Sequence, residues 1–233
     1  MAVLAGFCLA VVACGKEAPR SPSAASNVTV LDHEFTIPEL NRPRKLRIYL
    51  PPDYATSERR YPVLYMHDAQ NLFDDATSYA GEWGVDETLN ELFDKQGFAL
   101  IVVGVDNGGE KRMNELSPWP NQDFGAAEGR QYMDFLVDDV KAYVDEHYRT
   151  LPDQEHTAIM GSSMGGREGW DSVADMAKMT AQLLGDEWPA DRLESRVVPQ
   201  GEHNECFWRA NFAAAVTWLY EVPVSEPSAN LDC

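Results

Sequence analysis

The chain has 233 residues, of which 44% are hydrophobic, enough for the core of one large domain or two small ones. Its 38 acidic and 19 basic residues give a formal net charge of −19, which argues against nucleic acid and anionic membrane surfaces as partners. The cysteines show no C-x-x-C spacing, so we predict no zinc or redox motif and no other metal or cofactor. They are Cys8, Cys14, Cys206 and Cys233.

Residues 1–27 are predicted to be a targeting segment followed by a tether. Residues 1–13 are almost wholly apolar, too short to span a bilayer and long enough for a signal peptide. Residues 11–14 (VVAC) resemble the lipobox of bacterial lipoproteins, in which the cysteine is lipidated. No Lys or Arg precedes the apolar run, so an ordinary cleaved signal peptide is the alternative. We expect Cys14 to anchor the chain on the periplasmic side of a bacterial envelope, its one link to a membrane.

The remainder, residues 28–233, is predicted to form one domain, and its first predicted elements are strands. Residues 28–35 and 46–50 have β-type patterns with a turn at 41–43 between them, which predicts an antiparallel hairpin. Residues 63–66 read as a short buried strand that runs into the motif HDAQN. Residues 99–105 are continuously apolar, as in a strand buried on both faces of a parallel sheet.

Apolar residues at i, i+3, i+4 spacing predict amphipathic helices between and after these strands. The predicted helices cover residues 83–93, 132–147, the run that continues from residue 163 to 184, and 207–220. A last short strand is predicted at 196–198. Strands that alternate with helices indicate an α/β fold with a mainly parallel sheet, helices on both faces, and a site at the carboxyl ends of the strands.

The motif that organises the predicted site is at residues 161–165 (GSSMG), which fits G-x-S-x-G with Ser163 at its centre. At such a motif, called a nucleophile elbow, a strand (the elbow strand) turns sharply into a helix and leaves the serine hydroxyl exposed above the sheet. The Met164 amide then points to where an oxyanion would form. A Gly/Ser turn without chemistry is the alternative, but the strand before and the amphipathic run after the motif favour a nucleophile.

Several stretches in chain order over residues 28–220 resemble the putative-esterase family of α/β-hydrolases, which includes enterochelin and feruloyl esterases, S-formylglutathione hydrolases and mycolyltransferases. They are YPVLYMHDAQNLFD, GEWGVDETL, IVVGVDNGG, HYRTLPDQEHTAIMGSSMGG and VVPQGEHNECFWR. The resemblance implies Ser163 as nucleophile, His203 as general base, and the backbone amides of Met164 and Gln70 as oxyanion donors. The position of His203, between the last strand and the last helix, agrees with that role because a serine hydroxyl needs a base.

The chain departs from the family pattern at two places. The family usually has Gly where this chain has Ala69, which would be strained there if φ were positive. Glu168 matches the family's catalytic acid by local motif but lies only five residues after Ser163. A βαβ crossover needs about 30 residues, so we expect an internal segment with two strands to be missing and residues 196–198 to pair beside the elbow strand. An exposed first-turn glutamate is the alternative for Glu168.

Together these patterns predict a serine carboxylic-ester hydrolase that acts through an acyl-enzyme on a small-molecule ester, with weak activity if the acid is absent. Asp106, Asn107 and Trp119 are the predicted pocket residues, and they carry no chemistry that identifies the ester. Two alternatives stay open. One is a non-catalytic envelope lipoprotein on a degenerate hydrolase core, and the other is an acyltransferase with the same site.

Overall fold

The computed structural model describes residues 20–117, 119–120, 122–162 and 201–222, and a mixed five-stranded sheet lies at their centre. The described strands are β1 (Val28–Val30), β2 (Phe35–Ile37), β3 (Arg42–Arg44), β4 (Leu46–Tyr49), β5 (Val63–His67), β6 (Ile101–Val105) and β7 (Thr157–Met160). The central sheet has the order β1-β4-β6-β5-β7. Strands β6, β5 and β7 are parallel, while β4 and β1 are antiparallel to their neighbours.

Helices cover both faces of this sheet. They are α1 (Val85–Gln96), α2 (Arg112–Glu115), α3 (Gly129–Asp134), α4 (Ala142–His147) and α5 (Glu205–Leu219), with a π-helical stretch, Phe135–Lys141, that joins α3 to α4. Helices α1 and α5 pack on one face, and the α3–α4 unit packs on the other. Within the described residues, none of the helices has the length and apolar character that crossing a membrane requires.

Strand β6 shows why the sheet has two cores. All five of its residues are buried. Val102 packs with α1 and α5, whereas Ile101 and Val103 pack with the α3–α4 unit, as the two-residue period of a strand requires. Burial of each such side chain contributes about 1.5–3 kcal/mol. The predicted α/β class, the helices on both faces and the doubly buried strand are confirmed.

The amino-terminal antiparallel pairing is also confirmed, since β1 pairs with β4. The predicted turn at residues 41–43 is wrong, however, because Arg42–Arg44 is strand β3 and pairs antiparallel with β2. The chain reverses just before it, where Asn41 has φ 49°, a left-handed conformation that asparagine tolerates. Pro43 has no backbone N–H to donate, but it lies in an edge strand of this two-stranded ribbon, where proline is tolerated, so it does not end the strand.

The segment before β1 makes specific contacts with the domain. We predicted residues 16–27 to be a tether, yet the Ser23 amide donates to the Asp74 carboxylate at 3.1 Å and the Ala25 amide donates to Asp86 at 2.7 Å. The described contacts therefore begin ahead of residue 28. Residues 163–200 lie outside the described part of the chain. The same holds for the expectations placed there, namely the helix to residue 184, the strand at 196–198 and the missing segment.

Candidate active site

The loops that follow β5, β6 and β7 meet at one edge of the sheet because these strands are parallel neighbours. Met66 pairs with Met160, and His67 pairs with Val105, so the three strands end at the same level. The predicted site residues Gln70 and Asn107 lie just beyond this edge, beside the chain that leaves β7 toward Ser163. Ser163 itself, with Met164 and Glu168, is outside the described residues.

The turn after β5 is the best-defined part of this edge. Asp68 has φ 58° and ψ 44°, and the residues after it, Ala69–Asn71, form a 3₁₀ turn that carries Gln70. Ala69 does not have positive φ, so the strain expected there does not arise. The left-handed position is Asp68 instead, a residue type that tolerates this conformation better than most.

A glycine on the neighbouring strand makes room for this turn. A Cβ atom placed on Gly104 would lie 2.7 Å from the Ala69 Cβ, too close for two carbon atoms. Ala69 is fully buried, so its methyl group occupies the space that Gly104 leaves. The glycine in the GVD motif of β6 thus permits an alanine where the family usually has glycine.

The Asp68 carboxylate organises the neighbouring loops. It accepts hydrogen bonds from Arg112 Nε at 2.6 Å, Arg112 Nη2 at 2.8 Å and Asn107 Nδ2 at 2.8 Å. The hydrogen bond with Asp68 raises the pKa of Arg112. The Asn107 amide donates to Gln70 Oε1 at 3.2 Å, so the side chain of Gln70 is held by the loop after β6.

Two contacts connect Arg112 and His67 to residues 161–162, which lead into the predicted elbow. Arg112 Nη2 donates to the Ser162 carbonyl at 3.4 Å. A Cβ atom on Gly161 would lie 2.7 Å from His67 Cδ2, so the glycine is needed for the close approach of the imidazole ring. His67 Nδ1 hydrogen-bonds Tyr132 Oη at 2.9 Å, and burial lowers the pKa of His67. His67 is thus a neutral, packed structural partner of Gly161.

The predicted pocket residues are engaged in different ways. The Asp106 carboxylate accepts from Arg47 Nε at 2.8 Å and Nη2 at 3.2 Å, which ties the loop after β6 to β4. Asn107 is committed to Asp68 and, through Oδ1, to the Gly109 amide at 2.9 Å. Trp119 is 74% exposed. The structure therefore gives Asp106 and Asn107 roles in holding the loops.

His203 lies just ahead of α5, whose first turn is capped by Asn204 Oδ1 accepting from the Phe207 amide at 2.9 Å. Its ring packs edge-on against Trp208, with centroids 5.1 Å apart, and Trp208 packs on Trp83 at 5.5 Å. The Trp83 amide donates to the Asn71 carbonyl at 2.8 Å. A chain of contacts thus connects His203 to the turn that carries Gln70.

Sequence reasoning missed Asp68, Arg112 and Tyr132 as members of this edge. Asp68 stood inside a recognised motif, but only the neighbouring Gln70 was assigned a role. Arg112 and Tyr132 come from a polar loop and a helix face, and their spacing in the sequence carried no signal that they converge. Together with His67 and Asn107 they line a small cavity of about 10 Å³, room for about one water molecule.

Comparison with known proteins agrees with this architecture. The family model described as "Putative esterase" matches residues 37–168, more than half of the chain. A Bacillus subtilis (strain 168) relative, described as uncharacterized protein YbbA, is 26% identical over 131 residues, which are 53% of this chain and 48% of the relative. The chain thus spans about half the length of this curated relative.

Two solved structures are among those to which this chain is similar over part of its length. An IroE-like serine hydrolase from Shewanella oneidensis is 23% identical with a TM-score of 0.45, over 60% of this chain and 43% of that one. A ferulic acid esterase from Anaeromyces mucronatus is 22% identical with a TM-score of 0.39, over 65% of this chain and 54% of that one. On the match of the family model, this chain belongs to the putative-esterase family of α/β-hydrolases.

Proposed function

We propose that this chain hydrolyses carboxylic esters through an acyl-enzyme formed on Ser163. The Ser163 Oγ attacks the ester carbonyl while His203 takes its proton, and the tetrahedral oxyanion is held by the amides of Gln70 and Met164. The C–O bond to the alcohol breaks, and His203 returns the proton to the leaving alkoxide. Water then attacks the acyl-enzyme with the same proton transfers, which releases the acid and restores Ser163.

The observation that carries this proposal is the position of the Gln70 turn beside the chain entering the elbow. Strands β5 and β7 are adjacent and parallel, so the turn that follows β5 and residues 161–162 lie next to each other. Arg112 bonds to both segments. An oxyanion hole needs one amide from each, and a parallel pair of strands supplies them at the same edge.

We assign His203 as the base from the family motif and its place ahead of α5, and we give His67 at this edge a structural role. His67 is buried, bonds to Tyr132 and packs against Gly161. His203 sits at the start of α5 and is connected to the Gln70 turn through Trp208 and Trp83. Glu168 matches the family's catalytic acid by local motif only, so the proposal gives it no catalytic role. Weak turnover is therefore part of the proposal.

The proposed substrate is a small-molecule ester, and the proposed location is the periplasmic side of a bacterial envelope, with lipid on Cys14. Family membership supports the first of these. The VVAC motif supports the second, as does Cys206, which is disulfide-bonded. Disulfides persist in compartments outside the reducing cytosol. The high acidic charge is consistent with a substrate other than a polyanion.

A fluorophosphonate probe tests the proposed nucleophile directly. We expect the wild-type chain to be labelled and the modified residue to be Ser163 when the peptide is mapped by mass spectrometry, which separates it from Ser162. Ser163→Ala should abolish labelling, and His203→Ala should slow it strongly. Labelling that is absent in the folded wild type would favour a non-catalytic role for the chain. Ester exchange with added alcohol, in place of hydrolysis, would identify an acyltransferase.

A further inference from the structure

We propose that Arg112 is the positioning residue that holds the turn carrying Gln70 in register with residues 161–162, the end of the chain that leads to Ser163. This inference rests on the proposed function, since it concerns how the Gln70 amide is aimed at the oxyanion. The Gln70 turn follows β5 and residues 161–162 follow β7, so their relative position is not set by one continuous element. Arg112 is the side chain that bonds to both loops in the described structure.

The geometry of the guanidinium suits this role. Its Nε and Nη2 atoms bind the two Asp68 carboxylate oxygens at 2.6 and 2.8 Å, a bidentate arrangement. The same Nη2 also donates to the Ser162 carbonyl at 3.4 Å. A planar fork with several donors in fixed directions can hold a carboxylate and a carbonyl together. A lysine ammonium is a single point of attachment and cannot reproduce the paired contact.

The turn after β5 requires such a partner. Asp68 adopts a left-handed conformation, which costs conformational free energy for any residue other than glycine. Its side chain makes no capping hydrogen bond to the 3₁₀ turn that follows. The carboxylate is instead bound by Arg112 and Asn107, which holds the backbone at the point from which the Gln70 amide is aimed.

Burial makes the pair strongly coupled. The Asp68 side chain is 8% exposed and the Arg112 side chain 23% exposed. Removing one member of a buried pair leaves the other charge without compensation, so charge and geometry must be tested separately. Arg112→Lys keeps the positive charge and removes the fork. It therefore tests the positioning role with the smallest electrostatic change.

The chain offers a matched control in Arg42. Its guanidinium makes a bidentate pair with Glu128 at 2.6 and 3.0 Å, and its side chain is 24% exposed, nearly equal to that of Arg112. The hydrogen bonds of Arg42 go to Glu128 and Glu115, in the region of α2 and α3. Arg42→Lys thus breaks an equivalent bidentate ion pair that lies outside the Gln70 turn.

Steady-state hydrolysis of p-nitrophenyl acetate is the first measurement. Misplacing a catalytic group by about 1 Å can cost about 100-fold in rate, so we expect Arg112→Lys to lower kcat by about 10- to 100-fold while KM changes little. The affinity for a trifluoromethyl ketone, which forms a tetrahedral oxyanion on the serine, should fall by the same factor as kcat. Arg42→Lys should leave all three quantities unchanged. Equal losses in both variants, or no loss in Arg112→Lys, would overturn the proposal.

Hydrogen–deuterium exchange provides a readout that does not depend on activity. We expect faster amide exchange in peptides covering residues 67–72 and 157–162 of Arg112→Lys, and wild-type rates in Arg42→Lys. Unchanged exchange in both peptides would refute the positioning role of Arg112 even if turnover fell. Faster exchange in a protein whose wild type shows no Ser163-dependent turnover would remove the catalytic role and the proposed function together.

A second variant keeps the test decisive if Arg112→Lys does not fold. Asp68→Asn preserves a residue type that tolerates positive φ and keeps an oxygen acceptor for the guanidinium, while it removes the charge. We expect a smaller loss of kcat, about 3- to 10-fold, again with KM nearly unchanged. A wild-type kcat in folded Asp68→Asn would contradict the claim that this ion pair aims the Gln70 amide.

Discussion

Replacing Gly104 by alanine should destabilise the protein mainly through a collision with Ala69. The added Cβ atom would lie 2.7 Å from the Ala69 Cβ, well inside the 3.4–4 Å of ordinary contact, and both residues lie in the packed interior. Forcing a methyl group into a filled core costs about 1–3 kcal/mol. Since Gly104 is in an ordinary strand conformation, backbone strain adds nothing to this figure.

The matching change, Ala69→Gly, should cost about 1 kcal/mol by itself, because it removes a buried methyl group and raises the conformational entropy of the unfolded chain. In the double variant the two methyl groups no longer collide. We therefore expect it to be more stable than the sum of the single changes predicts, by about 1 kcal/mol. The recovery should be partial because Leu72 and Phe73 also lie 3.3 Å from the added Cβ.

Urea unfolding followed by circular dichroism would measure this coupling energy. The control is Gly104→Ala combined with Ala158→Gly, since Ala158 lies on β7, separated from β6 by β5. At two strand spacings, about 9.6 Å, these changes should be additive within about 0.5 kcal/mol. Additivity of the Ala69 and Gly104 changes would refute the account of how the turn is accommodated.

Three further predictions concern other parts of the chain. Burial raises the pKa of Asp86 to about 7, so the folded state retains a proton that the unfolded state releases near pH 4. The free energy of unfolding should therefore fall from about pH 4 to about pH 7. Asp86→Asn should flatten that slope in urea titrations, and an unchanged slope would contradict the assignment. Glu168→Gln should leave p-nitrophenyl acetate turnover within about threefold of wild type, and a loss approaching 10⁴-fold would instead identify Glu168 as the acid. Cys14→Ser should move the protein from the membrane to the soluble fraction, and equal membrane retention would show that Cys14 is not lipidated.

Patterns that repeat along the sequence predicted the core of this fold well. The apolar run ending at Val105 predicted a strand buried on both faces, and β6 is such a strand. The i, i+3, i+4 spacing predicted the α1, α3–α4 and α5 helices to within a few residues. These signals succeed because burial of a face is repeated every second or fourth residue, so one window of sequence contains the whole pattern.

Local turns were predicted less well because single residues decide them. The reversal before β3 occurs at Asn41, two residues before the proline that suggested a turn, since an edge strand accepts proline. Strain was expected at Ala69 if its φ were positive, but the positive φ is at Asp68 and the space for the methyl group comes from Gly104. A contact between residues 35 positions apart leaves no trace in a local window.

The supporting contacts at the candidate site were not predicted from the sequence. The family resemblance implied a role for Gln70, and both Gln70 and Asn107 follow strand ends, where sites of parallel sheets lie. Arg112 reaches Asp68 and Ser162 from the start of α2, and only the folded chain shows which of its 19 basic residues meets that carboxylate. Long-range pairing of charges depends on the three-dimensional arrangement of loops, which residue types alone do not specify.

Hydrolysis of p-nitrophenyl acetate by the wild type and by Ser163→Ala tests the central claim most directly. Equal concentrations of the two folded proteins would be compared, with the release of p-nitrophenol recorded against buffer alone. We predict slow, saturable turnover by the wild type and a rate indistinguishable from buffer for Ser163→Ala. Equal rates for the two proteins, whether both are active or both are inactive, would contradict the claim that this chain is an esterase with Ser163 as its nucleophile.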